Sequence, residues 1–249
     1  MAESLVIIPT YKEKENIEKI IRKVFSLSHP FDLLIIDDNS PDGTADIVKK
    51  LMLEFEGRLF LEQRAGKLGL GTAYVHGFKW GLKRDYQYIF EMDADFSHNP
   101  DDLLKLYHAC AIEGHDVAVG SRYIKGVNVV NWPMGRVLLS YFASAYVRII
   151  TRIKVRDTTA GFVCYRRRVL ESINLNKIRF TGYAFQIEMK YTAWKLGFSI
   201  KEVSIIFTDR SEGTSKMSKG IFKEAIFGVI TLRISSFFKK YKPYNPQEQ

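Results

Sequence analysis

Long apolar runs are missing from this chain: none reaches the roughly 18 residues that a membrane-crossing helix needs. Cysteine is scarce as well. Cys110 and Cys164 stand far apart, which excludes a disulfide framework and a cysteine-rich metal site and suits a reducing compartment. Neither G-x-G-x-x-G nor G-x-x-x-x-G-K-[ST] occurs, so the dinucleotide and P-loop signatures are excluded. The five histidines are scattered, and no Ser-His-Asp or Cys-His set can be assembled from their spacing, which leaves covalent acyl transfer without support. No repeat or low-complexity tract argues for a solenoid or a disordered linker. No basic leader or cleavage site accompanies the first apolar run, SLVIIPT, so the expectation is a cytoplasmic protein.

What is present suits one large domain with a sizeable core: 249 residues, 46% of them hydrophobic. Lys and Arg number 37 against 28 Asp and Glu, and the net charge of +9 favours an anionic partner such as a nucleotide, a phosphate, an acidic membrane or nucleic acid. Nucleic acid is set aside, because no zinc-finger, RNP or helix-turn-helix signature appears. The polar end Lys242–Gln249 reads as a loose tail.

Apolar runs of strand length alternate with helical periodicity. Leu5–Ile8 is followed by Ile17, Ile20, Ile21, Val24 and Phe25 at helical spacing and then by Leu33–Ile36, a βαβ start. Thr44–Phe55 reads as a helix, Leu59–Leu61 as a strand, Thr72–Leu82 as a helix and Tyr88–Met92 as a fourth strand. Asn99 is expected to cap the next helix, with Pro100 at its first position and Asp101 and Asp102 in its first turn. Val117–Gly120 is a further strand, Val137–Ile150 and Phe185–Leu196 read as helices, and Val203–Phe207 as a strand. The pattern predicts an α/β fold with a mostly parallel central sheet and helices on both faces.

In open sheets of this kind ligands bind beyond the carboxyl ends of the strands. Those ends read PTYKE (Pro9–Glu13), DDNSPDGT (Asp37–Thr44), QRAGKLGLGTA (Gln63–Ala73), DADFSHNP (Asp93–Pro100) and GSRY (Gly120–Tyr123). Asp93 and Asp95 lie two apart, so their carboxylates can converge on one hard cation, and oxygen ligands without nearby cysteine favour Mg²⁺ or Mn²⁺ over zinc. Read alone, the same pair can equally serve only the start of the next helix. His98 is taken as a loop residue, since an oxygen site for a hard ion needs no imidazole. Gly66, Gly69 and Gly71 either admit backbone N–H groups to a phosphate or simply turn the chain into the next helix. Asp37, Asp38 and Asp42 end the second strand, where carboxylates can accept from ribose hydroxyls or base N–H groups. Asp38, at the strand tip, is the better ligand; Asp42 and Thr44 also fit turn and N-cap roles.

Taken in order, PTYKE, DDNSPDGT, KLGLGTAYVHG, MDADFSHNP, GSRYIKG, the NWP..R...S stretch, DTTAGF, GYAFQIEM and TDRSEGTSK resemble family 2 glycosyltransferases of the GT-A fold, specifically the dolichol- or polyprenol-phosphate mannose synthases. The blocks cover nearly the whole chain. The resemblance implies a GDP-mannose donor held by Pro9, Tyr11, Glu13, Ile36 and Asp38, with Asp93, Ala94 and Asp95 at the diphosphate and a Mg²⁺ or Mn²⁺ ion. It adds Arg122, Arg210 and Lys216 to the donor site, and Ser97 as a weaker metal contact where some relatives carry Gln. Asp95, Arg122, Arg136 and Ser140 form the implied catalytic set, the last three clamping the phosphate of a dolichyl or polyprenyl monophosphate. Arg136 and Ser140, four apart, share a face if residues 134–151 are helical. Such an acceptor is already anionic and needs no protein base, and a single displacement would invert α-linked mannose to β.

The corresponding domain reading is a catalytic unit over residues 1–215 and a basic amphipathic segment and tail over 216–249. Between Lys216 and Lys242 seven cations accompany one acid, which suits anionic headgroups. The chain lacks the hydrophobic C-terminal spans by which some family members anchor themselves. The expectation is therefore peripheral association with the cytoplasmic membrane face, directly or through a small membrane-anchoring protein. The nearest rival activity is transfer from UDP-glucose to the same lipid phosphate.

Overall fold

The computed structural model describes residues 2–209, 219–238 and 241–245. Strands β1 (Ser4–Thr10), β2 (Phe31–Asp37), β3 (Leu59–Gln63) and β4 (Tyr88–Glu91) alternate with helices α1 (Ile17–Phe25), α2 (Thr44–Glu54) and α3 (Leu70–Leu82). Then follow α4 (Asp102–Ala111), β5 (Val117–Ser121), β6 (Val129–Val130), α5 (Met134–Thr151), β7 (Val163–Arg166), α6 (Arg167–Ser172), α7 (Tyr183–Lys195), β8 (Ile200–Ser204), β9 (Phe207–Thr208) and α8 (Lys219–Phe238).

Seven strands form one sheet in the order β3-β2-β1-β4-β7-β5-β8, and β6 pairs with β9 in a small second sheet. β7 runs antiparallel to both β4 and β5; the other pairings in the large sheet are parallel. Every residue of β2 is buried, as expected where helices cover both faces and the strand reads as a continuous apolar run. One face packs Ile17, Ile20, Ile21 and Val24 of α1, Val48 and Leu51 of α2, and Leu103 and Leu106 of α4. The other packs Tyr74 and Phe78 of α3, Val169 and Leu170 of α6, and Phe185 and Met189 of α7. A third cluster joins Val147 of α5, Ile187 and Tyr191 of α7, and Val229 and Leu232 of α8. The domain boundary expected at residue 215 lies outside the described residues.

The α/β architecture is the expected one, with corrections at its edges. The strand expected over Val203–Phe207 is β8, three residues earlier, because its register with β5 pairs Val117 with Ile200 and Ser121 with Ser204; β9 follows as a separate strand. β7 and α6 were not foreseen. α3 starts at Leu70 rather than Thr72, and α4 at Asp102. Asn99 still serves that helix end, its Oδ1 accepting from the Asp101 N–H at 3.1 Å, but through a turn that precedes α4. No helix among the described residues is long and apolar enough to cross a membrane.

Candidate functional site

From β1 through β3 the chain moves to one edge of the sheet, and β4 then returns to the opposite side of β1. The switch point therefore lies between β1 and β4, and the crevice beyond their carboxyl ends is where such sheets bind ligands.

On one side of it, the β1 and β2 exits are tied together by their own polar groups. Asp37 accepts from Thr10 Oγ1 at 2.9 Å and from the Ser40 N–H and hydroxyl at 2.9 and 2.6 Å, while Ser40 Oγ accepts from the Lys12 N–H at 3.0 Å. Asp42 accepts from the Lys14 N–H at 3.2 Å and from the Thr44 hydroxyl at 2.6 Å, and Thr44 Oγ1 accepts from the Glu13 N–H at 3.1 Å. Burial pushes the Asp42 pKa up, but these hydrogen bonds outweigh it and hold the carboxyl below its usual range. Asp37 and Asp42 thus hold loop geometry, the turn role left open for Asp42.

Asp38 is engaged differently. Arg64 Nε donates to its Oδ1 at 2.6 Å, and the same guanidinium reaches Thr72 Oγ1 at 2.8 Å and the Gly69 carbonyl at 3.4 Å. Burial raises the Asp38 pKa against the opposing pull of Arg64. Arg64 escaped the sequence reading, because only the β2–β3 register, with Asp37 opposite Gln63, puts it beside Asp38. Pro9, Tyr11 and Glu13 are half-buried along the β1 exit, where Lys67 Nζ lies 5.3 Å from the centre of the Tyr11 ring. Ile36 requires a correction. It has no exposed surface and belongs to the core against α3, since it stands inside the strand rather than at its tip.

The glycines of KLGLG serve the turn and close packing. Gly69 has φ +101°, and a Cβ on Gly71 would come within 2.8 Å of both the Phe180 carbonyl oxygen and Phe185 Cγ. Lys12, Asn39 and Phe96, none of them glycine, take φ of 58°, 56° and 59° in three loops around the crevice; backbone strain of this kind concentrates at ligand sites.

On the other side lies the loop after β4. Asp93 has a 37% exposed side chain, whereas Ala94, Asp95 and Ser97 are buried; the Ser97 N–H donates to Asp95 Oδ1 at 3.1 Å. His98 stacks on Phe162 at 4.9 Å, and its Nδ1 accepts from the Asp93 N–H at 3.3 Å. Burial lowers the His98 pKa to about 4, so the ring is neutral and its 3.8 Å approach to Asp93 Oδ2 is not an ion pair. His98 shapes the loop. Among the described residues no group of three or more His, Cys, Asp or Glu could hold a metal. Two carboxylates nonetheless fit Mg²⁺ or Mn²⁺, which commonly take one or two from the protein and complete their shell with substrate phosphates and water.

Behind this loop sits a buried polar network that the sequence reading did not assign. Gln186 Nε2 donates to Glu91 Oε2 at 2.8 Å, and Lys190 Nζ donates to the Ala160 carbonyl at 2.6 Å and to Gln186 Oε1 at 3.3 Å. Burial raises Glu91 to about 8 and lowers Lys190 to about 8, each drawn back by the other's charge. Gln186 and Lys190 lie four apart on α7, a spacing that was the available signal.

The cations gather beyond β5. Arg122 forms a two-pronged pair with buried Asp157, through Nε to Oδ2 and a terminal nitrogen to Oδ1, each at 2.7 Å, and also reaches Thr159 Oγ1 at 3.0 Å. Desolvation pushes Asp157 up, but Arg122 outweighs it and the carboxyl is held low. Arg136 donates to both oxygens of Asp209, at 2.9 and 2.8 Å. Ser140 Oγ accepts from the Tyr123 hydroxyl at 2.7 Å. Residues 134–151 are helical, the condition under which Arg136 and Ser140 share a face, but each has an internal partner that spacing could not reveal. Phe207 joins the two sides: it lies edge-on to His98 at 5.4 Å and to Trp132 at 5.3 Å. Arg210 and Lys216 lie outside the described residues.

Comparison with known proteins gives a consistent result. The model of the family "Glycosyl transferase family 2" matches residues 5–173. The polyprenol monophosphomannose synthase of Mycolicibacterium smegmatis is 45% identical over 91% of this chain and 85% of its own. The undecaprenyl-phosphate mannosyltransferase of Micrococcus luteus is 41% identical over 90% of this chain and 91% of its own. Among solved structures, glucosyl-3-phosphoglycerate synthase from Mycobacterium tuberculosis, in complex with Mn²⁺, UDP and glucosyl-3-phosphoglycerate, matches with a TM-score of 0.66 at 17% identity, covering 94% of this chain and 80% of its own. A mannosyltransferase from Pyrobaculum calidifontis, in complex with GDP-Man and Mn²⁺, matches with a TM-score of 0.61 at 14% identity, covering 98% of this chain and 66% of its own. At those identities the structural likeness speaks for the fold.

Proposed function

The chain belongs to glycosyl transferase family 2, and we propose that it transfers mannose from GDP-mannose to a polyprenyl or dolichyl monophosphate, giving a β-linked lipid-phosphate mannose by a single inverting displacement. The observation that carries this reading is the meeting of opposite charges at one end of the sheet. Asp93 and Asp95 stand on one side of the His98–Phe207 contact, and Arg122 and Arg136 on the other. Its support in sequence is the 45% and 41% identity to two mannosyltransferases whose names specify polyprenyl phosphates.

In this mechanism Pro9, Tyr11 and Glu13 line the nucleotide, and Asp38, oriented by Arg64, accepts from the base. A Mg²⁺ or Mn²⁺ ion held by Asp93 and Asp95, with Ser97 as a weaker contact, would offset the charge on the departing diphosphate. Arg122, Arg136 and Ser140 bind the acceptor phosphate, which displaces Asp209 and Tyr123 from the latter two. A guanidinium fork suits phosphate oxygens, and the anionic nucleophile needs no base. Arg210 and Lys216 complete the donor-phosphate contacts. Residues 1–215 form the catalytic unit.

The lipid is met at a membrane surface. α5 exposes Met134, Leu138, Phe142 and Ile149, and α8 exposes Phe227 and Phe237, so two apolar faces are available to the bilayer. The net charge of +9 adds attraction to anionic headgroups. A membrane protein that holds the chain there is compatible with the same faces.

The test is radiolabelled transfer to polyprenyl phosphate from GDP-mannose and from UDP-glucose, with and without divalent ion, followed by NMR of the product's anomeric linkage. Mannose transfer that requires the ion and yields the β product is expected. Transfer from UDP-glucose alone refutes the donor assignment, and an α product refutes single displacement.

A further inference from the structure

We propose that Trp132 is a positioning residue of the acceptor-phosphate site, its indole ring holding the guanidiniums of Arg122 and Arg136 side by side so that both address one phosphate; this rests on the mannosyl-transfer reading above. The Arg136 guanidinium carbon lies over the Trp132 ring at 4.2 Å from its centre, and that of Arg122 at 5.5 Å. Both cations thus lie within 5.5 Å of one electron-rich ring, which attracts each of them. Their carboxylate partners come from different segments, Asp157 before β7 and Asp209 after β9. Trp132 is common to the two cations.

The ring is itself held in place. Phe207 meets it edge-on at 5.3 Å, and Phe207 forms a β-bridge with His98, which directly follows Ser97 in the loop after β4, so the orientation of the arginines is tied to the acidic side of the site. The preceding residue, Asn131, takes φ 63°, a conformation that costs energy outside glycine and persists where surroundings impose it. Finally, Trp132 Nε1 is buried without a hydrogen-bond acceptor. Buried donors of that kind are rare, and beside two guanidiniums an oxygen-rich anion or its hydration water is the natural acceptor.

The experiment compares Trp132→Leu, which removes the ring, with Trp132→Phe, which keeps an aromatic face and loses the N–H. A short-chain polyprenyl phosphate serves as acceptor for the full-length protein. Trp132→Leu is expected to raise the acceptor KM by about tenfold or more, while the donor KM and the affinity for GDP change by less than about twofold; Trp132→Phe should fall between it and wild type. Unchanged acceptor KM in Trp132→Leu, equal losses for donor and acceptor, or a Trp132→Phe variant as impaired as Trp132→Leu would each overturn the proposal.

A binding readout separates this from failure of the enzymatic reading. The chain has three tryptophans, so Trp80→Phe with Trp194→Phe leaves Trp132 as the sole tryptophan, read by excitation that selects indole over tyrosine. Its fluorescence should respond to polyprenyl phosphate and not to GDP, whether or not mannose is transferred. A response to neither, or to GDP alone, refutes the placement of Trp132. Absent mannose transfer by wild type, with the fluorescence response intact, refutes the activity and leaves the phosphate seat standing.

Discussion

Replacing Asp157 with alanine should be costly, and the structure gives the scale. Its carboxylate is fully buried and holds Arg122 by three hydrogen bonds: one from the backbone N–H at 3.0 Å and two from the guanidinium at 2.7 Å. Removing it takes away the two-pronged carboxylate partner of a nearly buried guanidinium, and breaking a buried pair in this way typically costs about 3–5 kcal/mol. For a chain of this size each kcal/mol lowers Tm by roughly 2–4 °C, so a fall of about 6–20 °C is expected. Asp157→Asn preserves shape and one acceptor and should lose less.

The same pair predicts a pH dependence. The folded-state pKa of Asp157 is depressed, so its stabilisation is present above the unfolded carboxyl pKa of about 4 and is lost as pH falls through the lower folded value. Urea titrations at neutral pH and across the acid range should therefore show the wild type approaching the alanine variant on acidification. A variant within about 1 kcal/mol of wild type at pH 7, or a gap that widens in acid, would refute the argument.

Asp95→Asn should abolish turnover while leaving Tm within a few degrees, since shape is kept and one metal-facing charge is lost; near-normal rates at saturating Mn²⁺ would contradict the assignment. Arg64→Ala should raise the donor KM by about tenfold with little change in acceptor KM, because it frees Asp38 and the KLGLG turn together; calorimetric titration with GDP measures the loss directly. Gly71→Ala should destabilise by about 1–3 kcal/mol in chemical denaturation, because its Cβ would fall within 2.8 Å of Phe180 O and Phe185 Cγ.

Much of the first half was legible because parallel strands covered on both faces read as unbroken apolar runs, and because Gly, Asp and Pro punctuate their ends. Asp93 and Asp95 stood out for that reason. β7 escaped notice: its four residues, Val163–Arg166, make a short run whose identity depends on insertion between β4 and β5. β8 lies at the sheet edge with no fully buried residue, so its pattern located it imprecisely. Ile36 shows the limit of a carried-over motif, since its place within β2 gives it to the core.

The sequence by itself determined the α/β layering, the strand ends at which chemistry can occur and the overall positive charge, because apolar periodicity and turn residues act over a few neighbours. Only the tertiary structure decided which charge answers which. Asp38 meets Arg64 across 26 residues and Arg122 meets Asp157 across 35, and each cation's direction depends on the carboxylate that folding sets beside it. Coulomb and hydrogen-bond energies depend on separation in space, and separation along the chain does not encode it.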